Sequence, residues 1–324
     1  MSGAPRTVGG WTGSRFAHEA CVYDTDAAVR ARVLPFVEEG LDRGEPVVVV
    51  AGDAVRHMLD AALGKRVDDL EVYAPSDSFW FGGHETLATY YESMQPLLEA
   101  GVPWRLVGEP TWLATPGGEV WSRFESVANV AFADFPYYSL CLHDRRRLDP
   151  ALVRAQLRVH PTVWDGHEPV RSPDYQPTEA YLRSVEPAWS APPAGHSTMS
   201  ITDVVTARAD LRGWLDTRTV PSRASEVLLA VYELVTNALR AAGAAEVAQW
   251  TDGTHVVWQI SDGGPGFDDP IAGYVPPPPG LESGRGLWLA RSLADDSTLR
   301  GTAAGTAVRL LFRHDEVVRR QMAG

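Results

Sequence analysis

Two polar residues on one face of a predicted helix could do chemistry in this chain. Glu233 and Asn237 are four positions apart, so on an α-helix they lie one turn apart on the same face. The opposite face carries an apolar stripe of Val227, Leu228, Val231, Leu234, Val235, Ala238 and Leu239. A carboxylate here could accept a proton from an attacking hydroxyl group or water, and an amide oxygen suits Mg²⁺.

Three glycine-containing segments follow this helix: Asp262-Gly-Gly-Pro-Gly266, Gly284-Arg-Gly286 and Gly305-Thr306. A carboxylate at a strand end can accept a hydrogen bond from an exocyclic amine such as that of adenine. Adjacent glycines let the backbone approach the base closely. Free N–H groups at the start of a helix suit phosphates. Each segment alone could be an ordinary turn, cap or solvated face, but together they predict a nucleotide site.

Composition narrows the class of protein. The chain has 324 residues, 44% of them apolar, and a formal net charge of −13. This length suits about two domains with packed cores. The negative charge argues against direct nucleic-acid binding and against an anionic membrane surface as partner. With no signal-peptide pattern and no long apolar stretch, we expect a soluble, cytoplasmic protein.

The two cysteines, Cys21 and Cys141, each lie in an apolar, strand-like run. This setting predicts buried, reduced thiols, as in the cytosol. A zinc site would need more ligands at closer spacing, so the sequence predicts none.

Strand-like and helix-like patterns alternate from residue 15 to residue 166, after a flexible arm at 1–14. Predicted strands are Glu19–Tyr23, Pro46–Val50, Leu70–Tyr73, Trp104–Val107 and Tyr138–Leu142. Predicted helices are Ala27–Arg43, Ala54–Leu63, Glu85–Ala100, Val120–Ala133 and Ala151–Val159. This order predicts an α/β domain with a mostly parallel sheet. The turn after the first strand has no glycine pattern of a phosphate loop.

Aromatic residues are dense in this first domain. An aromatic core is the simpler explanation, and an apolar ligand pocket at the carboxyl edge of the sheet is the alternative. Each polar candidate, taken singly, could instead be a satisfied structural residue. The candidates for such a sensory pocket are His18, Glu19, Trp80, Tyr91, Glu92, Trp104 and His160.

Several segments of this domain resemble the MEDS sensory domain, named for methanogen and methylotroph regulators. They are Phe16–Asp24, Tyr90–Glu92 leading to Gly101–Glu109, and Val159–Pro161. The resemblance implies a RecA-like fold without a working phosphate loop. It also implies a domain that senses a small, apolar, hydrocarbon-derived ligand.

Prolines interrupt the pattern at residues 167–199, which predicts a linker with a short helix at Thr178–Ser184. A second domain follows at 200–314, with a tail at 315–324. Its predicted elements, besides the Glu233–Asn237 helix, are helices at Val204–Leu215 and Arg285–Leu293 and strands at His255–Ser261 and Thr306–Phe312. This order predicts an α+β sandwich, with helices packed on one face of a sheet.

The motifs of the second domain resemble the ATP-binding domain of the GHKL superfamily, the Bergerat-type ATPases. Glu233-Leu-Val-Thr-Asn237-Ala resembles the N box, and the three glycine segments resemble the G1 box, the G2 box and the final glycine motif. The match is closest to the anti-sigma-factor serine kinases, because Glu233 stands where sensor histidine kinases usually carry histidine.

This resemblance implies roles for individual residues. Glu233 would act as the general base, Asn237 would hold Mg²⁺, and Asp262 would read adenine. The remaining residues of the ATP site would be Gly264, Gly266, Gly284, Arg285, Gly286, Leu287 and Thr306. Residues 268–283 would form a lid over ATP. Arg240–Gly243 departs from the basic or histidine-containing helix end of the family, and Pro276–Pro279 makes the lid proline-rich.

The resemblance further implies a cytoplasmic regulator that binds Mg-ATP and phosphorylates Ser or Thr of an anti-sigma antagonist, gated by the sensory domain. The partners would be a sigma factor, an anti-sigma antagonist protein or both. The sequence also leaves a homodimer open. One alternative is an ATP-bound protein that sequesters its partner without phosphotransfer. A sensor histidine kinase is another, with His196 as acceptor, although Pro192-Pro193 before it does not suit a dimerising helical hairpin.

Overall fold

The computed structural model describes residues 11–75, 83–114, 121–186, 189–215, 223–275, 277 and 284–313. The predicted tail, residues 1–10 of the predicted arm and Trp80 lie outside these ranges. The chain divides into two compact units, the first ending at Leu182 and the second beginning at Arg183. Within the described ranges, no helix is long and apolar enough to cross a membrane.

The first unit is built on one mixed sheet. Among the described residues, its strands are β1 (Ala17–Tyr23), β2 (Val47–Val50), β3 (Glu71–Tyr73), β4 (Trp104–Gly108), β5 (Tyr137–Asp144), β6 (Thr162–Trp164) and β7 (Pro169–Arg171). They lie in the order β3-β2-β4-β5-β1-β6-β7. Every neighbouring pair is parallel except β6 and β7. The predicted mostly parallel α/β fold is therefore confirmed.

Helices connect these strands, as the alternation predicts. They are α1 (Asp26–Asp42), α2 (Asp53–Leu63), α3 (Gly83–Ala100), α4 (Trp121–Ala131) and α5 (Pro150–Val159). The cap of α1 shows why it starts where it does, since Thr25 Oγ1 accepts a hydrogen bond from the Ala28 N–H at 3.1 Å. The β-branched run in β2 packs into the core of this unit, as expected for a strand inside a parallel sheet.

Regular structure also occurs in the stretch predicted as a linker. Pro169 begins β7, a strand at the edge of the first sheet. Proline is tolerated there because an edge strand can leave one side of its backbone without ladder hydrogen bonds. Helix α6 spans Thr178–Val185, and the next strand begins at Ser197. Prolines in this stretch therefore shorten the elements rather than exclude them.

The second unit is an antiparallel sheet with helices. Its described strands are β8 (Ser197–Ile201), β9 (Ala245–Thr251), β10 (His255–Ser261), β11 (Asp296–Thr302) and β12 (Gly305–Arg313). They lie in the order β11-β12-β10-β9-β8. The helices are α7 (Val204–Leu215), α8 (Ala224–Ala242) and α9 (Arg285–Leu293). The predicted α+β architecture is confirmed, and β8, β9 and β11 are strands that the sequence reasoning did not predict.

Helix α8 lies at the centre of the second unit. It packs against α7, α9 and the sheet. The predicted apolar stripe is buried except for Leu239, which is half-buried and packs against the same core. On the opposite face, Glu233 is half-buried and Asn237 is exposed. The stripe therefore fixes the rotation of α8 and directs both polar residues away from the core.

Candidate ATP-binding site

A cavity of about 360 Å³ lies beside α8 in the second unit. Six residues that the sequence predicted for ATP binding line it: Asn237, Asp262, Gly284, Gly286, Leu287 and Thr306. The rest of its wall is mostly apolar and comprises Leu234, Ala238, Ala241, Ile260, Phe267, Ala272, Gly273, Leu299 and Val308. An apolar cleft with a few convergent polar groups is the usual form of a small-molecule site.

Backbone amides hold the carboxylate of Asp262 in place, directly after β10. Its Oδ1 accepts hydrogen bonds from the Gly264 N–H at 2.9 Å and from the Thr306 N–H at 3.4 Å. The Asp262 N–H in turn donates to the Thr306 carbonyl at 2.9 Å. Within the described ranges, no donor reaches Oδ2. One oxygen of Asp262 is therefore fixed by the protein, and the other is available to an amine at the cavity wall.

Glycines allow the chain to pass close behind Asp262. Gly266 and Gly305 have φ angles of 82° and 128°, which side chains rarely adopt. A Cβ at Gly266 would collide with the carbonyl of Thr302, and one at Gly305 would collide with the carbonyl of Asp262. Gly264 and Gly266 do not line the cavity. They shape the loop that presents Asp262.

Glu233 and Asn237 both face the first turn of α9. A Cβ built on Gly286 would lie 2.8 Å from Glu233 Oε2 and 3.2 Å from Asn237 Nδ2. Gly284 caps α9 with a φ of 88°. Because Gly284 and Gly286 line the cavity, the first turn of this helix lies at the cavity wall. Glu233 does not itself line the cavity, and Arg285 is exposed outside it. A carboxylate, an amide and a helix N-terminus therefore lie close together, the last two at the cavity wall.

The start of the predicted lid is anchored by residues that the sequence reasoning missed. Arg291 is 2% exposed, and its guanidinium carbon lies 4.2 Å from the ring centroid of Tyr274. Its Nη1 donates to Ser297 Oγ at 2.9 Å. Gly273, with a φ of 73°, packs against Leu287. Helical spacing could have revealed Arg291, because it follows Leu287 by one turn on the buried face of α9. Residues 276 and 278–283 of the lid lie outside the described ranges.

A second cavity, in the first unit, has seven aromatic residues among the 17 that line it. Of the sensory-pocket candidates, it is lined by His18. Glu19 is 0% exposed and lies away from this cavity, where Arg32 Nε and Nη2 donate to its two oxygens at 2.5 and 2.6 Å. Neighbouring residues of a strand point to opposite faces, so His18 and Glu19 could not both reach one cavity.

The other candidates have different surroundings. Tyr91 packs against Phe135, with ring centroids 5.3 Å apart, and the cavity is lined by Tyr90 instead. Trp104 is buried and stacks on Tyr137 at 4.0 Å. Glu92 is exposed to solvent.

His160 is fully buried and does not line the cavity. Its ring centroid lies 4.0 Å from that of His18. Sequence reasoning missed Phe16, Thr86, Glu125 and Tyr137 as lining residues, whereas Tyr90, Trp112, Trp121 and Phe124 belong to the dense aromatic residues that suggested a pocket.

The antiparallel sheet, the central helix α8 and the glycine-bounded cavity beside it are consistent with a GHKL-type ATPase fold. Comparison with known families agrees: residues 198–312 match the histidine kinase-like ATPase domain. Residues 17–161 match the MEDS domain, described as the methanogen/methylotroph, DcmR sensory domain. The chain therefore carries a MEDS domain followed by a histidine kinase-like ATPase domain.

Comparisons with individual curated proteins and solved structures give less than the family match. No curated protein matches the chain. One similar solved structure is that of the RsbU and RsbW domains of Rv1364c from Mycobacterium tuberculosis, with 23% identity and a TM-score of 0.25. The match covers 36% of this chain and 32% of that chain.

Proposed function

We propose that this protein is a signalling regulator whose second domain binds Mg-ATP and phosphorylates a Ser or Thr of a partner protein. We further propose that the MEDS domain regulates this activity in response to a small ligand. By resemblance to the anti-sigma-factor serine kinases, the partner would be an anti-sigma antagonist, and a sigma factor would be the second partner.

The observation that carries this proposal is the position of Glu233 beside the first turn of α9. Its Oε2 lies 2.8 Å from where a Cβ of Gly286 would be, and Asn237 lies on the same side. Phosphates bind well at the free N–H groups of a helix N-terminus. With adenine at Asp262, the terminal phosphate would lie at the other end of the cavity, near Glu233. A carboxylate there suits a general base.

The same end of the cavity fits Mg²⁺. Asn237 is exposed at the cavity wall and offers an amide oxygen, and Mg²⁺ prefers oxygen ligands and usually bridges substrate phosphates. Asn237 would hold the ion, and the ion would neutralise charge on the phosphates. Gly286 is small enough to leave this space open between α8 and α9.

In the proposed transfer, Glu233 accepts the proton of the partner's Ser or Thr hydroxyl group. The hydroxyl oxygen forms a bond to the γ-phosphorus, and the bond from that phosphorus to the β–γ bridging oxygen breaks. ADP leaves with the electron pair of the broken bond. Asp262 binds the adenine amine throughout and takes no part in the bond changes.

Transfer of label from γ-labelled ATP to a candidate antagonist tests this function. We expect Glu233→Gln to bind ATP like the unaltered protein and to label the antagonist at least about a hundredfold more slowly, the lower range for loss of a general base. The matched control is Glu246→Gln, which removes an exposed carboxylate on β9. Labelling that survives in Glu233→Gln would reject Glu233 as the base.

A non-catalytic function is the second candidate. Within the described ranges, no hydrogen bond holds Glu233 in a fixed orientation, which suits an ATP-bound protein that sequesters its partner without phosphotransfer. Capture of the partner that needs ATP but is unchanged in Glu233→Gln, with no labelling, would favour this alternative.

A histidine kinase has less support. His196 lies between Gly195 and β8, and its Nδ1 is 2.9 Å from the Pro193 carbonyl oxygen. This position is not in a helix. Acid-labile phosphate on the protein itself would be needed to support that function.

A further inference from the structure

Four potential metal ligands meet beside the aromatic cavity of the MEDS domain. His18 Nε2 lies 3.3 Å from Glu125 Oε2 and 3.4 Å from Cys141 Sγ. His160 offers the fourth ligand atom, and all four atoms lie within 4.8 Å of one another. The residues come from β1, α4, β5 and the end of α5, so the fold brings together side chains that are far apart in the sequence.

Hydrogen bonds fix the orientation and tautomer of His18. The Asn129 amide nitrogen donates to the carbonyls of Val159 at 2.8 Å and Ser126 at 3.1 Å. Its Oδ1 therefore faces His18 as an acceptor, 3.0 Å from Nδ1. Because Nδ1 must carry the hydrogen of this bond, Nε2 can present a lone pair to Glu125 and Cys141. A carbonyl behind a histidine ring is the usual support of a metal-binding histidine.

His160 is held in the same way. Its Nδ1 lies 2.7 Å from the Gln156 carbonyl oxygen and so carries a hydrogen that donates to it. Its Nε2 is buried and, within the described part of the chain, has no hydrogen-bond partner. The residue is 0% exposed. A buried nitrogen lone pair without a donor is unfavourable, and a cation would satisfy it.

The surroundings of the cluster also suit a cation. His18 and Cys141 are buried, and the Glu125 side chain is 17% exposed. The lone pair on His18 Nε2 faces a carboxylate oxygen at 3.3 Å, and two electron-rich groups repel at this distance. A metal ion between the two groups would remove this repulsion. The same ion would satisfy the unpartnered Nε2 of His160.

We propose that His18, Glu125, Cys141 and His160 bind a divalent transition-metal ion, with Zn²⁺ as the best fit. Two imidazoles, a thiolate and a carboxylate form a ligand set typical of Zn²⁺, and the thiolate disfavours Mg²⁺ and Ca²⁺. The sequence reasoning found no zinc site, because spacing along the chain does not show which strands are neighbours.

The position of this site suggests what it would do. His18, Glu125 and Cys141 also line the aromatic cavity, so one side of the bound ion faces that cavity. A small ligand with an apolar body and a lone-pair donor could then place its body among the aromatic rings and its donor on the metal. This assignment concerns the MEDS domain alone and does not depend on phosphotransfer in the second domain.

Titration of the metal-free, full-length protein with Co²⁺ tests the site, because Co²⁺ occupies zinc sites and gives visible absorption. We expect one equivalent of Co²⁺ to produce intense visible bands and a thiolate charge-transfer band, and one equivalent of Zn²⁺ to remove them. Cys141→Ser should lose the charge-transfer band. Cys21→Ser, which removes another buried thiol, is the matched control and should keep it.

Two further variants separate metal binding from misfolding. Asn129→Leu keeps all four ligands but removes the support of His18, so affinity should fall by about 10–100-fold. His160→Gln should lower affinity by at least about tenfold, and circular dichroism should show that each variant folds.

Two results would overturn the proposal: no stoichiometric binding of Co²⁺ or Zn²⁺ by the unaltered protein, or a charge-transfer band that persists in Cys141→Ser. The first would leave the four side chains as a hydrogen-bonded cluster without an ion. The second would move the metal to another thiol.

Discussion

Replacing Gly286 by alanine should block the proposed phosphate end of the candidate ATP site while leaving the fold intact. The added Cβ would lie 2.8 Å from Glu233 Oε2 and 3.2 Å from Asn237 Nδ2. Both side chains would have to move away from the first turn of α9. The fold itself should tolerate the change, because Gly286 is an ordinary helical position in α9, without a positive φ.

This substitution should have opposite effects on the stability of the fold and on the affinity for ATP. Alanine in place of glycine inside a helix stabilises by roughly 0.5–1 kcal/mol. Against this, the methyl group takes space at the proposed phosphate and Mg²⁺ end of the cavity. We expect a loss of at least about 1.4 kcal/mol in ATP binding, which is tenfold in Kd. Stability should therefore stay the same or rise while ATP affinity falls.

Calorimetric titration with Mg-ATP and a thermal melt measure these two effects separately. The matched control is Gly213→Ala in α7, where a Cβ meets nothing within 4 Å. This control should gain the same helix stabilisation and keep full ATP affinity. Unchanged ATP affinity in Gly286→Ala would refute the assignment of phosphates to the space between α8 and α9.

Asp262→Asn should weaken ATP binding by at least about tenfold, because the amide cannot accept at both oxygen positions; fluorescence titration with ATP and GTP should show the loss for ATP alone. Glu19→Ala should destabilise the first domain by about 3–5 kcal/mol, because it leaves buried Arg32 without its charge partner. Urea unfolding measures this loss of stability. Burial opposes ionisation of Asp144, but hydrogen bonds from Arg146 outweigh it and hold the pKa of this carboxyl below its usual value. A depressed folded-state pKa stabilises above the unfolded-state pKa, and this stabilisation disappears as pH falls through the folded-state value. Asp144→Asn should thus cost only about 1 kcal/mol at neutral pH, because Arg146 is partly exposed, and urea unfolding at acid pH should show the difference vanish.

Periodicity predicts the central elements of both domains well. The stripe on α8 and the β-branched run in β2 are buried, because burial of one helical face or of a whole strand leaves a regular apolar pattern. The strands β8 and β11 lie at the two edges of the second sheet. Edge strands bury less apolar surface, and β11 consists largely of polar residues and glycine. Their pattern is correspondingly weak.

More of the predicted ATP-site residues than of the sensory-pocket candidates line a cavity. The candidate ATP site is built from short local motifs, such as Asp262 with its glycines, whose geometry depends on a few adjacent residues. The walls of the aromatic cavity come from distant segments, and which of two neighbours faces it depends on tertiary packing. His18 lines the cavity and Glu19 does not, although strand alternation alone could have shown that one of them must point away.

The four residues of the proposed metal site also come together only through tertiary packing. Cys141 pairs with Ala20 across neighbouring parallel strands, which brings it near His18. This contact requires β1 and β5 to be neighbours in the sheet, and no sequence motif shows which strands are neighbours. The two cysteines alone therefore did not indicate the proposed metal site, which includes Cys141 but not Cys21.

We expect the second domain to hold one Mg-ATP between Asp262 and the first turn of α9. Calorimetric titration of the full-length protein with Mg-ATP, alongside Asp262→Asn and Gly286→Ala, measures this binding. The geometry predicts one ATP bound per chain and at least about tenfold weaker binding in each variant. Absence of ATP binding, or equal affinity in all three proteins, would contradict it.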